Sequence, residues 1–279
     1  MQPEPMQPIT TLFPEPGQTF RDKLNIGGEG PLMVVVPAGR FLMGLPSDEL
    51  EWDDSEGPQH VVHITQPFAM GVHAITFDDF DRFCDSTQQL KPRDENWGRG
   101  RRPVINISWN EAHVYCVWLS EQTGRHYYLP SESMWEYACR AGTQTPFHTG
   151  DRISPEQANF NGNFFYNDSV QGVYRGKTVP VGTFSANAFG LYEMHGNVWE
   201  WCQDTWHGNY QDAPSDGSSW EGSGCDFRLL RGGSWYINPD YARSSVRDRD
   251  FPDYRSSSVG FRVSCLSSDY LSVSHNVRT

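Results

Sequence analysis

Six cysteines, at positions 84, 116, 139, 202, 225 and 265, are the residues best suited to redox or soft-metal chemistry, and they lack zinc-ligand spacing. Cys84, Cys116 and Cys139 fall inside apolar patterns of helical period, where a thiol usually behaves as a small buried hydrophobe. Cys202 and Cys225 bracket a Gly/Ser-rich stretch and would pair only in an oxidising compartment. His60 and His63 stand three apart in the strand-like run 59-QHVVHI-64, so they point to opposite faces and do not converge on a metal. His195, in a Trp-rich run, reads as a packed, hydrogen-bonded histidine rather than a base, and neither His-x-Glu-x-His nor Ser/His/Asp spacing marks an independent catalytic site. In 193-EMHGNVWE-200 the carboxylates of Glu193 and Glu200 flank Gly196 and Val198, whose carbonyls can face the same cation. That is the hard oxygen set calcium takes, and an ion-pair or turn role for the two glutamates is the competing reading.

Helices and short strands must position these groups. Phe77, Phe80, Phe83 and Cys84 recur at helical spacing, with Asp78 and Asp79 in the first turn, and predict a helix near 76–88. Ser108 with Glu111 forms a capping box before Ala112, Tyr115, Cys116 and Leu119, and Gly124 ends that helix, predicted near 109–123. A third, near 132–141, starts after Ser131 but has Met134 where a box would need an acid or amide. The run 32-LMVVVPAGRFLMG-44 suggests two short paired strands about Pro37-Ala38-Gly39, and 59–64 and 67–76 add sheet. Beyond about 143 no long helical face appears. That half reads as ordered loop, which needs pinning by buried aromatics, salt bridges or bound cations. Residues 1–16, with five prolines, read as a flexible leader.

Composition excludes several classes. Thirty-five acidic against 22 basic residues leave a net charge of −13, which opposes nucleic-acid and anionic-membrane surfaces. Apolar runs such as 32–39 fall far short of the roughly 20 residues that span a bilayer. Met1 is not followed by a basic-then-apolar signal, so a cytoplasmic location is the default, with the cell surface reached through a partner. No repeat of 20–50 residues is present.

The segments 35-VVPAGRFLMG-44, 103-PVINISWNEAHVYCVWLSEQTGRHYYLPSESMWEYACRAG-142, 189-FGLYEMHGNVWEW-201, 230-LRGGSW-235 and 259-VGFR-262 together resemble the sulfatase-modifying-factor, or formylglycine-generating-enzyme-like, domain. The resemblance covers about 17–264, leaving 265–279 as a C-terminal tail. It implies an α+β, loop-rich fold of the C-type lectin class. It also implies three activities: copper-dependent oxidation of a sulfatase cysteine, iron-dependent sulfoxide synthesis, or display of a binding surface without catalysis. The oxidase relatives carry two thiols shortly after Gly-Gly-Ser-aromatic, and soft copper(I) requires them. Here Ile237 occupies the first of those positions and 236–258 holds no cysteine, so copper is not expected. The iron-dependent relatives draw ligands largely from an attached helical bundle that the short leader does not supply. The resemblance further implies a structural calcium at Glu193, Gly196, Val198 and Glu200, with Asn commonly where Glu193 stands.

The stretch between Arg-Gly-Gly-Ser-Trp and Gly-Phe-Arg also resembles the variable region of diversity-generating retroelement target proteins. There adenine-directed mutagenesis alters codons within a fixed frame. The frame residues here are Arg231 to Trp235, Pro239, Ala242, Arg243, Arg247, Pro252, Arg255 and Gly260 to Arg262. The intervening candidates for ligand contact are Tyr236, Ile237, Asn238, Asp240, Tyr241, Ser245, Val246, Asp248, Asp250, Phe251, Asp253, Tyr254, Ser256, Ser257 and Ser258. Tyr, Ser and Asn suit adaptable recognition, because Tyr offers contact area with few rotors. The resemblance implies a non-catalytic protein that binds a protein or other macromolecule, with a metal-dependent oxidoreductase as the alternative. Arg243, Arg247 and Arg255 could grip a phosphate or carboxylate ligand, but in so acidic a chain they are expected to pair internally.

Overall fold

The computed structural model describes residues 14–46, 53–222 and 224–266. The 1–16 leader and the 265–279 tail therefore lie largely outside the described residues. Three α-helices form where the capping signals place them: α1 (Phe77–Thr87), α2 (Trp109–Thr123) and α3 (Glu132–Arg140). The Ser108–Glu111 box closes as expected, and a second box, Thr76 with Asp79, starts α1. Asp79 thus accepts from the Thr76 amide and hydroxyl in addition to favouring the helix dipole. Ser131 caps α3 without a box, and Ala141, not Gly142, takes the left-handed C-cap.

A five-stranded sheet runs in the order β1 (Thr19–Phe20), β2 (Met33–Val36), β5 (Phe68–Gly71), β11 (Ser264–Cys265), β6 (Tyr127–Tyr128). β3 (Gly39–Met43) pairs with β4 (His60–Ile64) in a separate ribbon. The expected pairing across Pro37-Ala38-Gly39 is therefore corrected: β2 pairs with β1 and β5 instead. All four residues of β2 are buried, as fits an interior strand of a sheet covered on both faces, whereas in β3 only Met43 is buried.

Among the described residues no α-helix follows Arg140, as the sequence suggests, yet the second half is not loop alone. β7 (Trp199–Thr205), β8 (Arg228–Arg231), β9 (Arg247–Asp250) and β10 (Val259–Gly260) form a sheet in the order β10-β7-β8-β9. β9 is one of its edges, and Asp248 and Arg249 on it are exposed charges, a device that discourages edge-to-edge pairing. An aromatic core joins the halves: Phe80, Phe83 and Tyr115 of α1 and α2 pack together, and Phe261, just after β10, meets Tyr115 edge-on at 5.4 Å.

Candidate functional site

Four buried arginines bolt the 231–262 segment to the rest of the chain. Arg231 at the end of β8 is fully buried and donates to the carbonyls of Ser244, Ser245 and Val246 and to the Glu136 carboxylate of α3. Burial pushes Glu136 up, but the Arg140 and Arg231 charges outweigh it and hold the carboxyl below its ordinary value. Arg243 grips Glu56 through two bonds of 2.9 Å. Arg247 holds Glu132 at 2.6 and 3.0 Å while also donating to the Ser55 and His207 carbonyls. Arg262 holds Glu200 at 2.6 and 2.8 Å. Arg255 pairs with Glu111 at 2.9 Å on the surface. The internal pairing expected of Arg243, Arg247 and Arg255 is what the structure shows.

Gly232 and Gly233 make the turn out of β8 possible. Both have positive φ, +95° and +76°, and a Cβ would lie 2.9 Å from the Trp135 ring at the first and 2.8 Å from the Tyr241 carbonyl at the second. Within this frame the candidate contact residues divide by burial. Tyr236, Tyr241, Asp248, Phe251, Asp253 and Tyr254 are exposed, and Ile237, Asn238, Asp240, Asp250, Ser256 and Ser257 are half-buried. Ser245, Val246 and Ser258 are buried and belong with the frame rather than with the exposed residues.

Burial raises the Tyr236 phenol, and the Tyr254 and Asp248 charges raise it further. Trp235 meets Trp97 edge-on at 5.3 Å, Tyr236 at 5.5 Å and Tyr174 in a stack at 6.3 Å. Phe251 is half exposed, with its ring 4.4 Å from Phe227. Trp97 and Tyr174 were missed by sequence reasoning. They come from loops without periodicity, and only the density of aromatics hinted at them. A cavity of about 400 Å³ adjoins the surface between Asn163, Phe164, Phe165, Gln171, Asn238 and Asp240.

The thiol pair of the copper chemistry is absent. Ile237 packs against the main core, and the position five residues on is Ala242, fully buried beside the Phe147–Phe160 cluster. Among the described residues no group of three or more His, Cys, Asp or Glu could hold a metal ion. All six cysteines are free, Cys202 and Cys225 included. His195 is buried between the Ala242 carbonyl at 2.7 Å from Nδ1 and the His148 amide at 3.0 Å from Nε2. The amide must donate, so Nε2 is bare and Nδ1 carries the proton. Burial first, then the His148 charge, push its pKa down to about 3, which marks a structural histidine. His60 and His63 do face opposite ways, the first half-buried against Tyr210 and the second exposed.

The groups considered for calcium have other partners. Glu193 accepts from the amides of Gly182, Thr183 and Phe184. Glu200 accepts from Arg262 and from Trp135 Nε1 at 2.7 Å. The Gly196 carbonyl accepts from the Val198 amide at 3.0 Å. A calcium shared by these carboxylates and the Gly196 and Val198 carbonyls would therefore compete with protein donors already on both glutamates.

The chain matches the family model of the sulfatase-modifying factor enzyme 1-like domain over residues 22–265. It is 32% identical to the inactive C-alpha-formylglycine-generating enzyme 2 of Mus musculus, over 88% of this chain and 89% of that one. It is 28% identical to the formylglycine-generating enzyme of the same species, over 82% and 74%. Among solved structures, PvdO from Pseudomonas aeruginosa superposes with a TM-score of 0.79 at 36% identity, covering 91% of this chain and 99% of that one. Treponema denticola variable protein 1 superposes with a TM-score of 0.70 at 21% identity, over 88% and 98%, a likeness of fold alone. Among the described residues no helix is long and apolar enough to cross a membrane.

Proposed function

The chain belongs to the sulfatase-modifying factor enzyme 1-like family, and from that premise we propose that it is a binding protein that presents 236–258 to a macromolecular partner, a protein. One observation carries the reading. Tyr236, Tyr241, Phe251 and Tyr254 are 48, 53, 50 and 40% exposed on a segment whose backbone is held by buried ion pairs. Large aromatics left in water on a rigid support cost little ordering entropy on binding, which is how interface anchors gain affinity. The net charge of −13 favours a partner with a basic face and disfavours nucleic acid. The finer readings belong to the same proposal: a C-type lectin topology, a domain spanning 17–264 between a leader and a tail, and a surface diversified by a retroelement. Neighbouring DNA with a reverse transcriptase gene and a near-copy of the codons for 231–262, differing mainly at adenines, supports the last; its absence removes it.

Calcium is a question of competition at Glu200. A cation there would have to share the carboxylate with the buried Arg262 guanidinium, and we propose that the guanidinium, rather than a metal, neutralises it. The oxidoreductase alternative would need a constellation other than the family's thiol pair.

The test is a partner screen followed by affinity measurement with the four aromatics changed together to Ala. The variant should fold, because all four rings stand at the surface, and should lose more than about 2 kcal/mol of binding if even one anchor is central. Unchanged affinity of the folded variant for a verified partner rejects the surface.

A further inference from the structure

A second cavity, of about 210 Å³, shares no residue with the 236–258 surface and gathers Arg21, Arg82 and Arg101 from three separate segments. These guanidiniums differ from the arginines that bind carboxylates elsewhere, and resemble Arg102, Arg175 and Arg228, which also donate to backbone carbonyls. Arg125, Arg140, Arg231, Arg243, Arg247 and Arg262 each hold a carboxylate at hydrogen-bond distance. At the cavity each guanidinium is anchored to a backbone carbonyl instead: Arg21 to Gly30 at 2.6 Å, Arg82 to Glu29 at 2.5 Å and Arg101 to Val181 at 3.0 Å. The nearest carboxylate contact of the three is Arg21 with Glu29, at 3.9 Å. One N–H fixes each planar fork in place and the rest of its donors remain for a ligand.

Asp78 lines the same cavity, and among the described residues its carboxylate has neither a hydrogen bond nor an ion pair, although Arg82 stands one turn further along α1. Asp79 beside it is occupied by Thr76. The α1 end itself is not the receptor, since the Phe77 and Asp78 amides already donate to the Arg102 and Gly100 carbonyls. Guanidiniums and a carboxylate that line one cavity without bonding each other match a ligand carrying both charges. The volume lies below the roughly 300–1,000 Å³ of pockets for drug-sized ligands, so that ligand is small. A dianion such as phosphate would meet Asp78 and Asp79 on the same wall, and a simple cation would meet three guanidiniums.

We propose that this cavity binds the head group of a small α-amino acid, its carboxylate on the guanidiniums and its ammonium on Asp78, with Leu32 and Val181 as the apolar wall. Because no residue is shared with the 236–258 surface, this site stands or falls separately from the binding function proposed above.

Isothermal titration calorimetry at low salt with L-alanine, acetate, ethylammonium and inorganic phosphate tests it. L-alanine should bind at least about tenfold more tightly than acetate or ethylammonium, since it makes both sets of charged contacts. Arg82→Gln should weaken L-alanine and acetate alike. Asp78→Asn, an exposed change that leaves the fold intact, should weaken L-alanine about tenfold and leave acetate unchanged or tighter. No L-alanine binding at millimolar concentration overturns the proposal. So does phosphate binding more tightly than L-alanine, or an equal loss of L-alanine and acetate in Asp78→Asn.

Discussion

Replacing Arg231 by Met isolates the contribution of the buried ion pairs. Methionine retains the apolar stem but removes the donors to the Ser244, Ser245 and Val246 carbonyls and the counter-charge of Glu136. Breaking one side of a buried pair typically costs about 3–5 kcal/mol, and each stranded carbonyl about 1 kcal/mol, with overlap between these figures. Against a usual total of about 5–15 kcal/mol, that is a large fraction of stability. For a domain of this size the melting temperature should fall by something of order 10 °C. Urea denaturation followed by Trp fluorescence reads the equilibrium loss, and hydrogen exchange over 244–250 should show β9 loosening before the remaining sheet. Glu136→Gln should cost less in the Arg231→Met background than alone, because the Glu136 carboxylate has by then lost Arg231 and keeps only Arg140 as a charge partner. A loss below about 1 kcal/mol, or strict additivity of the two changes within about 0.5 kcal/mol, refutes the reasoning.

His195 sets an acid limit. In the unfolded chain it takes a proton near pH 6.5, while in the fold it stays neutral down to about pH 3, so protonation favours unfolding and stability declines as pH falls through that window. His195→Gln should flatten the decline, as read by urea midpoints between pH 4 and 7; an unaltered slope assigns it to other groups. Exhaustive chelation should leave the melting temperature unchanged and elemental analysis should find no calcium, since Arg262 already neutralises Glu200. A fall on chelation, reversed by calcium, would restore the metal at Glu193 and Glu200. Incubation with copper, oxygen and a sulfatase-type cysteine peptide should yield no aldehyde above the free-metal control, given Ile237 and Ala242 where thiols are required.

The helices were legible because their signals are local: Ser108 and Glu111 lie within one turn, and the apolar faces repeat every three or four residues. The second sheet was not, because its pairing is set far away. β7 meets β10 across some sixty residues in parallel register, Trp199 opposite Val259, and no hairpin turn announces it. The same distance hid the partners of the arginines. That Arg243 should pair internally followed from charge balance, but Glu56 lies 187 residues upstream and only folding identifies it. At the displayed surface the outward Tyr and Asp positions were readable from the frame. Ser245, Val246 and Ser258 were not separable from them, since short side chains suit either setting. Trp97 and Tyr174 lacked any pattern at all.

The arginine frame bears on why this segment can carry exposed aromatics and scattered aspartates without losing its shape. Its backbone is fixed by guanidinium bonds to the carbonyls of 244–246 and by Glu56, Glu132 and Glu136. None of these contacts passes through Tyr236, Tyr241, Asp248, Phe251, Asp253 or Tyr254. Changes at those positions remove neither a buried charge partner nor a backbone anchor, so each should cost only the small amounts usual for surface sites, within about 0.5 kcal/mol. Changes at Arg231, Arg243 or Arg247 take a charge partner from a buried carboxylate. Folding thus rests on side chains other than the exposed ones on the same stretch, the physical condition the proposed binding surface would need for its exposed residues to change while the fold beneath stays the same.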